Sequence, residues 1–149
     1  MVDRILVPVD GSPLSERALE VALEEHPDAT VVALHVVDPT DVGYSVHGVP
    51  FETGVEPIHG SAEWYERARE HAADLFEDVR RTTADRGADV ETETVVGRPD
   101  REIVDYAVDH DIDAIVMGSH GRDEESRLLL GSVTEAVAFR APVRVTLIR

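Results

Sequence analysis

The sequence predicts an α/β protein in three layers, an open and doubly wound parallel sheet of five strands with helices on both faces. Three observations carry this expectation. Short apolar, β-branched runs alternate with segments of helical period from one end of the chain to the other, as successive β-α units require. The run Asp113–Met117 is continuous in apolar residues rather than alternating, which is how a strand covered on both faces reads. A length of 149 residues, 42% of them hydrophobic, suffices for one domain, residues 1–149, around a single core, and without cysteine that core has no disulfide or thiolate metal site to support it.

Arg4–Val9 is read as the first strand. Asp10-Gly11-Ser12-Pro13 turns the chain, with Ser12 at the N-cap of the first helix and Pro13 at the first helical position, where a missing N–H is harmless. Leu14, Ala18, Val21, Ala22 and Leu23 recur at helical spacing to about Glu25, and His26-Pro27-Asp28 ends the helix. Thr30–Val37 is the second strand. Proline and glycine are then scattered from Asp38 to Gly60, predicting a long irregular loop, of the kind that is either a functional lid or a partly disordered segment. Ser61 opens the longest helix, which turns Trp64, Ala68, Ala72, Leu75, Phe76 and Val79 inward and stops near Arg86-Gly87. Asp89–Val96 alternates apolar or β-branched with acidic residues, the pattern of a half-exposed strand near an edge. Gly97-Arg98-Pro99 leads into a third helix, Asp100–Asp109, with Ile103, Val104 and Ala107 buried. Asp113–Met117 is the fourth strand, Ser132–Ala138 a short last helix broken by Ala141-Pro142, and Val143–Ile148 the fifth strand.

Such a sheet binds ligands beyond the carboxyl ends of its strands, where the winding reverses. Two segments belong there, Pro8-Val9-Asp10-Gly11-Ser12 after the first strand and Gly118–Ser132 after the fourth. In the second, Gly118 has no Cβ to hold off a ribose or phosphate, and Gly121 permits the positive φ that folds the loop back. Gly131 precedes a helix N-terminus, whose N–H groups and dipole favour an anion. Ser132 is expected to cap that helix and offer its hydroxyl to a phosphate, with Thr134 in the same turn.

Composition narrows the function further. Against 14 cationic residues stand 31 Asp plus Glu, a net charge of −17 that disfavours nucleic acid as a partner. No stretch approaches the roughly 20 apolar residues of a membrane span, and the N-terminal segment lacks the pattern of a secretory signal, so a soluble cytoplasmic protein is expected. The histidines His47, His59, His71 and His110 show no paired ligand spacing. His120 falls inside the glycine loop, where it either approaches a phosphate or shapes the backbone, and His35 reads as a hydrogen-bonded structural residue at the end of a buried strand. Ser119 and Ser126 have no evident base to activate them. Without lysine there is no Walker-type phosphate loop, and neither the His-x-Gly-His nor the Ser-Gly-Gly-x-Asp-Ser signature occurs.

Asp10-Gly-Ser-Pro, His35-Val-Val, Gly97-Arg-Pro and Met117-Gly-Ser-His-Gly-Arg followed by Leu-Leu-Leu-Gly131-Ser-Val together resemble the universal stress protein family, in its ATP-binding branch. The resemblance spans the chain and implies a strand order of 3-2-1-4-5, with homodimers joined through Val143–Ile148. It implies ATP as ligand, with Pro8 among the binding residues, adenine near Val9 and Val36, and Asp10 serving the ribose or a metal. Met117, Gly118, Gly121, Arg122, Gly131, Ser132, Val133 and Thr134 would surround the sugar and phosphates. With no general base identifiable, the implied role is a nucleotide-dependent sensor or switch in a stress response. Slow ATP hydrolysis or phosphoryl transfer assisted by Asp10, His120 or a metal-bound water is one alternative, and a nucleotide-free dimeric interaction module is another.

One departure from the family pattern is electrostatic. Asp123-Glu124-Glu125 follow Arg122, and three carboxylates repel a triphosphate unless they point outward, bind Mg²⁺ or are screened by salt. All 14 cations are arginine, and asparagine and glutamine are absent as well. That bias resembles the proteins of salt-accumulating extreme halophiles, an ordinary acidic protein being the other reading. Unscreened charge of this density opposes the compact state, so the circular dichroism melt should move to lower temperature as KCl is reduced from molar to millimolar. A melt indifferent to KCl would remove the salt dependence.

Overall fold

In the computed structural model the described residues are 2–39, 60–119 and 131–149. They form β1 (Arg4–Pro8), α1 (Pro13–Glu25), β2 (Thr30–Val37), α2 (Ala62–Thr83), β3 (Val90–Val96), α3 (Pro99–Asp109), β4 (Ala114–Gly118), α4 (Ser132–Arg140) and β5 (Arg144–Ile148), with a 3₁₀ turn at Ala84–Arg86. All neighbouring strands are parallel, in the order 3-2-1-4-5. No helix among the described residues is long and apolar enough to cross a membrane.

The period of two along each strand divides the core between the faces. Ile5, Val7, Val31, Ala33 and Val116 pack under Leu19 and Ala22 of α1 and Leu75 and Phe76 of α2. Leu6, Val32, Leu34, Ile115 and Met117 pack under Ile103 and Tyr106 of α3 and Val137 of α4. Right-handed crossovers put the helices there: α1 and α2 carry the chain outward from β1 to β3, and α3 brings it back across to β4, so it lies on the opposite face. The reversal falls between β1 and β4.

Side-chain caps fix where the helices begin. Ser12 Oγ accepts from Ser15 N–H at 3.2 Å and Ser61 Oγ from Trp64 N–H at 3.1 Å, at the starts of α1 and α2. Beyond α2, Gly87 takes the left-handed conformation, φ 62°, that stops the helical path. The edge strand β3 carries acidic residues on its α3 side, where Tyr106, 5% exposed, donates its hydroxyl to Glu93 at 2.5 Å. Burial and the neighbouring carboxylate push the phenol well above its ordinary range.

Several boundaries differ from the sequence reading. Val9 lies beyond β1, α3 begins at Pro99, β4 includes Gly118, α4 continues to Arg140, and Val143 precedes β5. On α1 the buried stripe runs through Ser15, Ala18, Leu19, Ala22 and Leu23, leaving Leu14 and Val21 partly exposed. The α3 stripe includes Tyr106 in place of the expected Val104, which is half-buried against the same cluster.

At the amino end of the sheet, Asp113 Oδ2 accepts the N–H groups of Asp3 at 2.9 Å and Arg4 at 3.0 Å, clamping the start of β4 to the start of β1. Those two backbone donors hold the carboxyl below its ordinary value. Its contribution to stability is therefore complete above the unfolded-state value and is lost as pH falls through the lower folded-state value. Asp113→Ala should lower stability at neutral pH and flatten the acid limb of the stability curve, read by denaturant titration at fixed KCl. An unchanged acid limb would show that the clamp contributes nothing.

Candidate functional site

The reversal point opens because β1 cannot continue to pair with β4. Their register runs Ile5↔Ala114 and Leu6↔Ile115 and goes no further. Alternate residues of a strand direct their peptide groups to opposite neighbours. Asp113 N–H meets the Arg4 carbonyl, so the even-numbered residues of β1 face β4. Pro8 is next in that series after Leu6 and has no N–H to give. The strands part there, leaving a crevice at their carboxyl ends.

On the β1 side of the crevice, Val9 N–H bonds the Leu34 carbonyl at 2.9 Å, and the Val9 carbonyl is held by His35 Nδ1 at 2.9 Å. The Val9 side chain is buried in the core beneath α1 and α2, so its backbone is what reaches the site. Asp10 Oδ1 accepts Ser12 N–H at 2.9 Å, which folds the turn over Gly11 at φ 80°. Ser15 Oγ donates to the Ser12 carbonyl at 2.9 Å and accepts Asp10 N–H at 3.4 Å, tying the turn to the helix it precedes.

On the β4 side, Met117 is 5% exposed with its side chain in the opposite core, so it too offers backbone only. The chain leaves β4 at Ser119 and returns at Gly131, and Gly131 N–H closes this neck on the Ser119 carbonyl at 2.8 Å. Ser119 N–H in turn bonds the Ile148 carbonyl of β5 at 2.7 Å. Gly131, not Ser132, occupies the N-cap of α4, and no side chain caps it. Ser132 is the first helical residue because Glu135 N–H already bonds the Gly131 carbonyl, at 2.8 Å. Thr134 is 3% exposed and spends its hydroxyl on the Gly118 carbonyl at 2.9 Å, closing α4 onto β4. The N–H groups of Ser132, Val133 and Thr134 sit in the first turn, where a helix supplies no backbone partner.

Pro8, Val9, Asp10, Val36, Met117, Gly118, Gly131, Ser132, Val133 and Thr134 thus gather at one edge of the sheet. Gly121 and Arg122 lie outside the described residues, as do His120, the acidic triplet Asp123–Glu125 and most of the loop expected from Asp38 to Gly60. Among the described residues no three His, Asp or Glu side chains are grouped to hold a metal. Sequence reasoning missed Ser15 and the link between His35 and Val9. The one signal for the latter is a polar residue inside the apolar run Thr30–Val37.

The universal stress protein family model matches residues 1–149. Universal stress protein MJ0577 of Methanocaldococcus jannaschii is 33% identical over an alignment covering 100% of this chain and 96% of that protein. Among solved structures, universal stress protein UspA from Lactobacillus plantarum superposes with a TM-score of 0.80 at 31% identity, covering 99% of this chain and 98% of its own. The universal stress protein from Archaeoglobus fulgidus in complex with dAMP gives 0.63 at 25% identity, covering 100% and 98%. With the sheet order, the crevice and this match over its whole length, the chain belongs to the universal stress protein family.

Proposed function

We propose that this protein binds ATP at the crevice and acts in the cytoplasm as a nucleotide-dependent switch. The observation that carries the proposal is the uncapped start of α4, where three consecutive N–H groups and the helix dipole meet the crevice. The helices α1 and α2 have serine caps, whereas α4, like α3, has no side-chain cap, and α4 is the one that follows the glycine segment after β4. The dAMP complex of the Archaeoglobus fulgidus relative supports an adenine nucleotide. The Asp10 carboxylate gives one acceptor site to Ser12 N–H and has capacity left for a ribose hydroxyl or a Mg²⁺ ion. Gly121 and Arg122 would complete the phosphate end.

The neck of the phosphate loop supports the switch role. Its two hydrogen bonds run from Gly131 to Ser119 and from Ser119 to Ile148, so an anion held at α4 bears on the last strand. We propose that this strand joins two copies through Val143–Ile148. Among the described residues β5 pairs with β4 alone, and Phe139 of the preceding helix α4 is 82% exposed.

Ser132→Ala removes only the hydroxyl and should weaken ATP binding a few-fold. Ser132→Pro, at a helical position that accepts proline, also removes an N–H and should weaken it roughly tenfold, with the ligand-free melt little changed. Calorimetry in high KCl with Mg²⁺ reads both, and wild-type affinity in the proline variant would place the phosphates elsewhere. For the dimer, Ile148 faces β4, so Val145 directs its N–H outward. Val145→Pro should give a cooperatively melting monomer in sedimentation velocity, and an unaltered sedimentation coefficient would exclude pairing through this edge.

A further inference from the structure

Strands β1 and β2 pair as far as Pro8↔Leu34, and the Val9 N–H adds one more rung on the Leu34 carbonyl at 2.9 Å. In a continuing parallel ladder the Val9 carbonyl would next accept the N–H of Val36. It is instead taken by the ring of His35, with Nδ1 at 2.9 Å. A carbonyl only accepts, so Nδ1 carries the hydrogen. His35 is 3% exposed and meets the His71 ring of α2 edge-on, with centroids 5.9 Å apart and planes at 68°. Its own peptide groups belong to the β3 side, because Val31 N–H bonds Asp89 and the Val37 carbonyl accepts from Gly97. By the same alternation Val36 directs its N–H and C=O to the β1 side, past the point where β1 has turned into Asp10.

We propose that His35 is the positioning residue of the base end of the site: by supplying a side-chain donor to Val9, it releases the Val36 peptide from the ladder and leaves it facing the crevice. A peptide N–H and C=O side by side match the neighbouring acceptor and amino donor on the Watson–Crick edge of adenine. This rests on the nucleotide reading above and deepens it. His35 governs the base, whereas Gly131–Thr134 govern the phosphates, so the two ends of the ligand respond to different substitutions.

The test compares ATP with inorganic triphosphate, which lacks the base, by calorimetry in high KCl. His35→Phe should weaken ATP roughly tenfold and leave triphosphate unchanged. His35→Asn, whose amide nitrogen overlies Nδ1, should restore ATP binding, and His35→Gln, whose amide reaches the Nε2 position, should not. Long-range proton–nitrogen NMR spectra of the wild type should show the Nδ1–H form of His35 and need no variant to fold. Undiminished ATP binding in His35→Phe, an equal loss of ATP and triphosphate, or an Nε2–H form each overturns the positioning role while the nucleotide reading stands. A wild type that binds triphosphate but not ATP overturns both.

Discussion

In the central strands of a parallel sheet covered on both faces the backbone polar groups are shielded from water, so each N–H and C=O must find a partner within the protein. The requirement relaxes only where strands end, and here the ends fail to match. Pro8 removes the donor that would have continued the ladder to β4, and the chain turns away from β2 one residue later. The Val36 peptide is thereby left at the carboxyl edge of the sheet, the edge at which α4 begins and Asp10 follows β1. The proposed ligand, rich in acceptors and carrying a base with both donor and acceptor on one edge, would answer the same accounting that holds the sheet together.

That accounting also decides what the sequence reveals. The order of elements was legible because apolar period alone separates buried strands from amphipathic helices, and the serine caps at Ser12 and Ser61 stand where their spacing to the next turn predicts. The start of the last helix, where the proposed site would hold phosphates, was legible through Gly131 and the apolar pattern after it. Illegible were partnerships that depend on which way a side chain turns in three dimensions. Ser132 reads as the cap and a phosphate hydroxyl with Thr134 in the same turn, yet Ser132 yields the cap to Gly131 and Thr134 turns its hydroxyl inward to Gly118. Val9 and Met117 sit within apolar runs, and only the packing shows that their side chains belong to opposite cores. His35 reads as structural, and pairing geometry is needed to show what its hydrogen bond replaces.

Charge acts on a different scale. The helix surfaces carry local pairs such as Arg17–Glu20 at 3.1 Å and Arg81–Asp78 at 3.3 Å, whose side chains are well exposed and contribute little each. Asp100 is better shielded, at 13% exposure, and receives Arg98 at 3.3 Å and Arg140 at 3.4 Å, joining the start of α3 to the end of α4. With 31 acidic residues against 14 arginines, such pairs cannot neutralise the surface, and the balance falls to dissolved cations.

The same cations bear on the site. An anion approaching a chain of charge −17 is repelled at long range, yet the donors that would hold its phosphates are dipolar N–H groups at a helix end, which act within the first turn. Salt therefore suppresses the repulsion that surrounds the crevice more strongly than the attraction inside it. In the proposed site the described donors are backbone amides of α4, whose short-range attraction concentrated salt weakens less than it weakens the long-range repulsion, and Arg122 would add a side-chain charge to them. On that proposal the acidic surface and the uncapped start of α4 are compatible, because the fold would supply in fixed dipoles attraction that the surface, at a charge of −17, withholds.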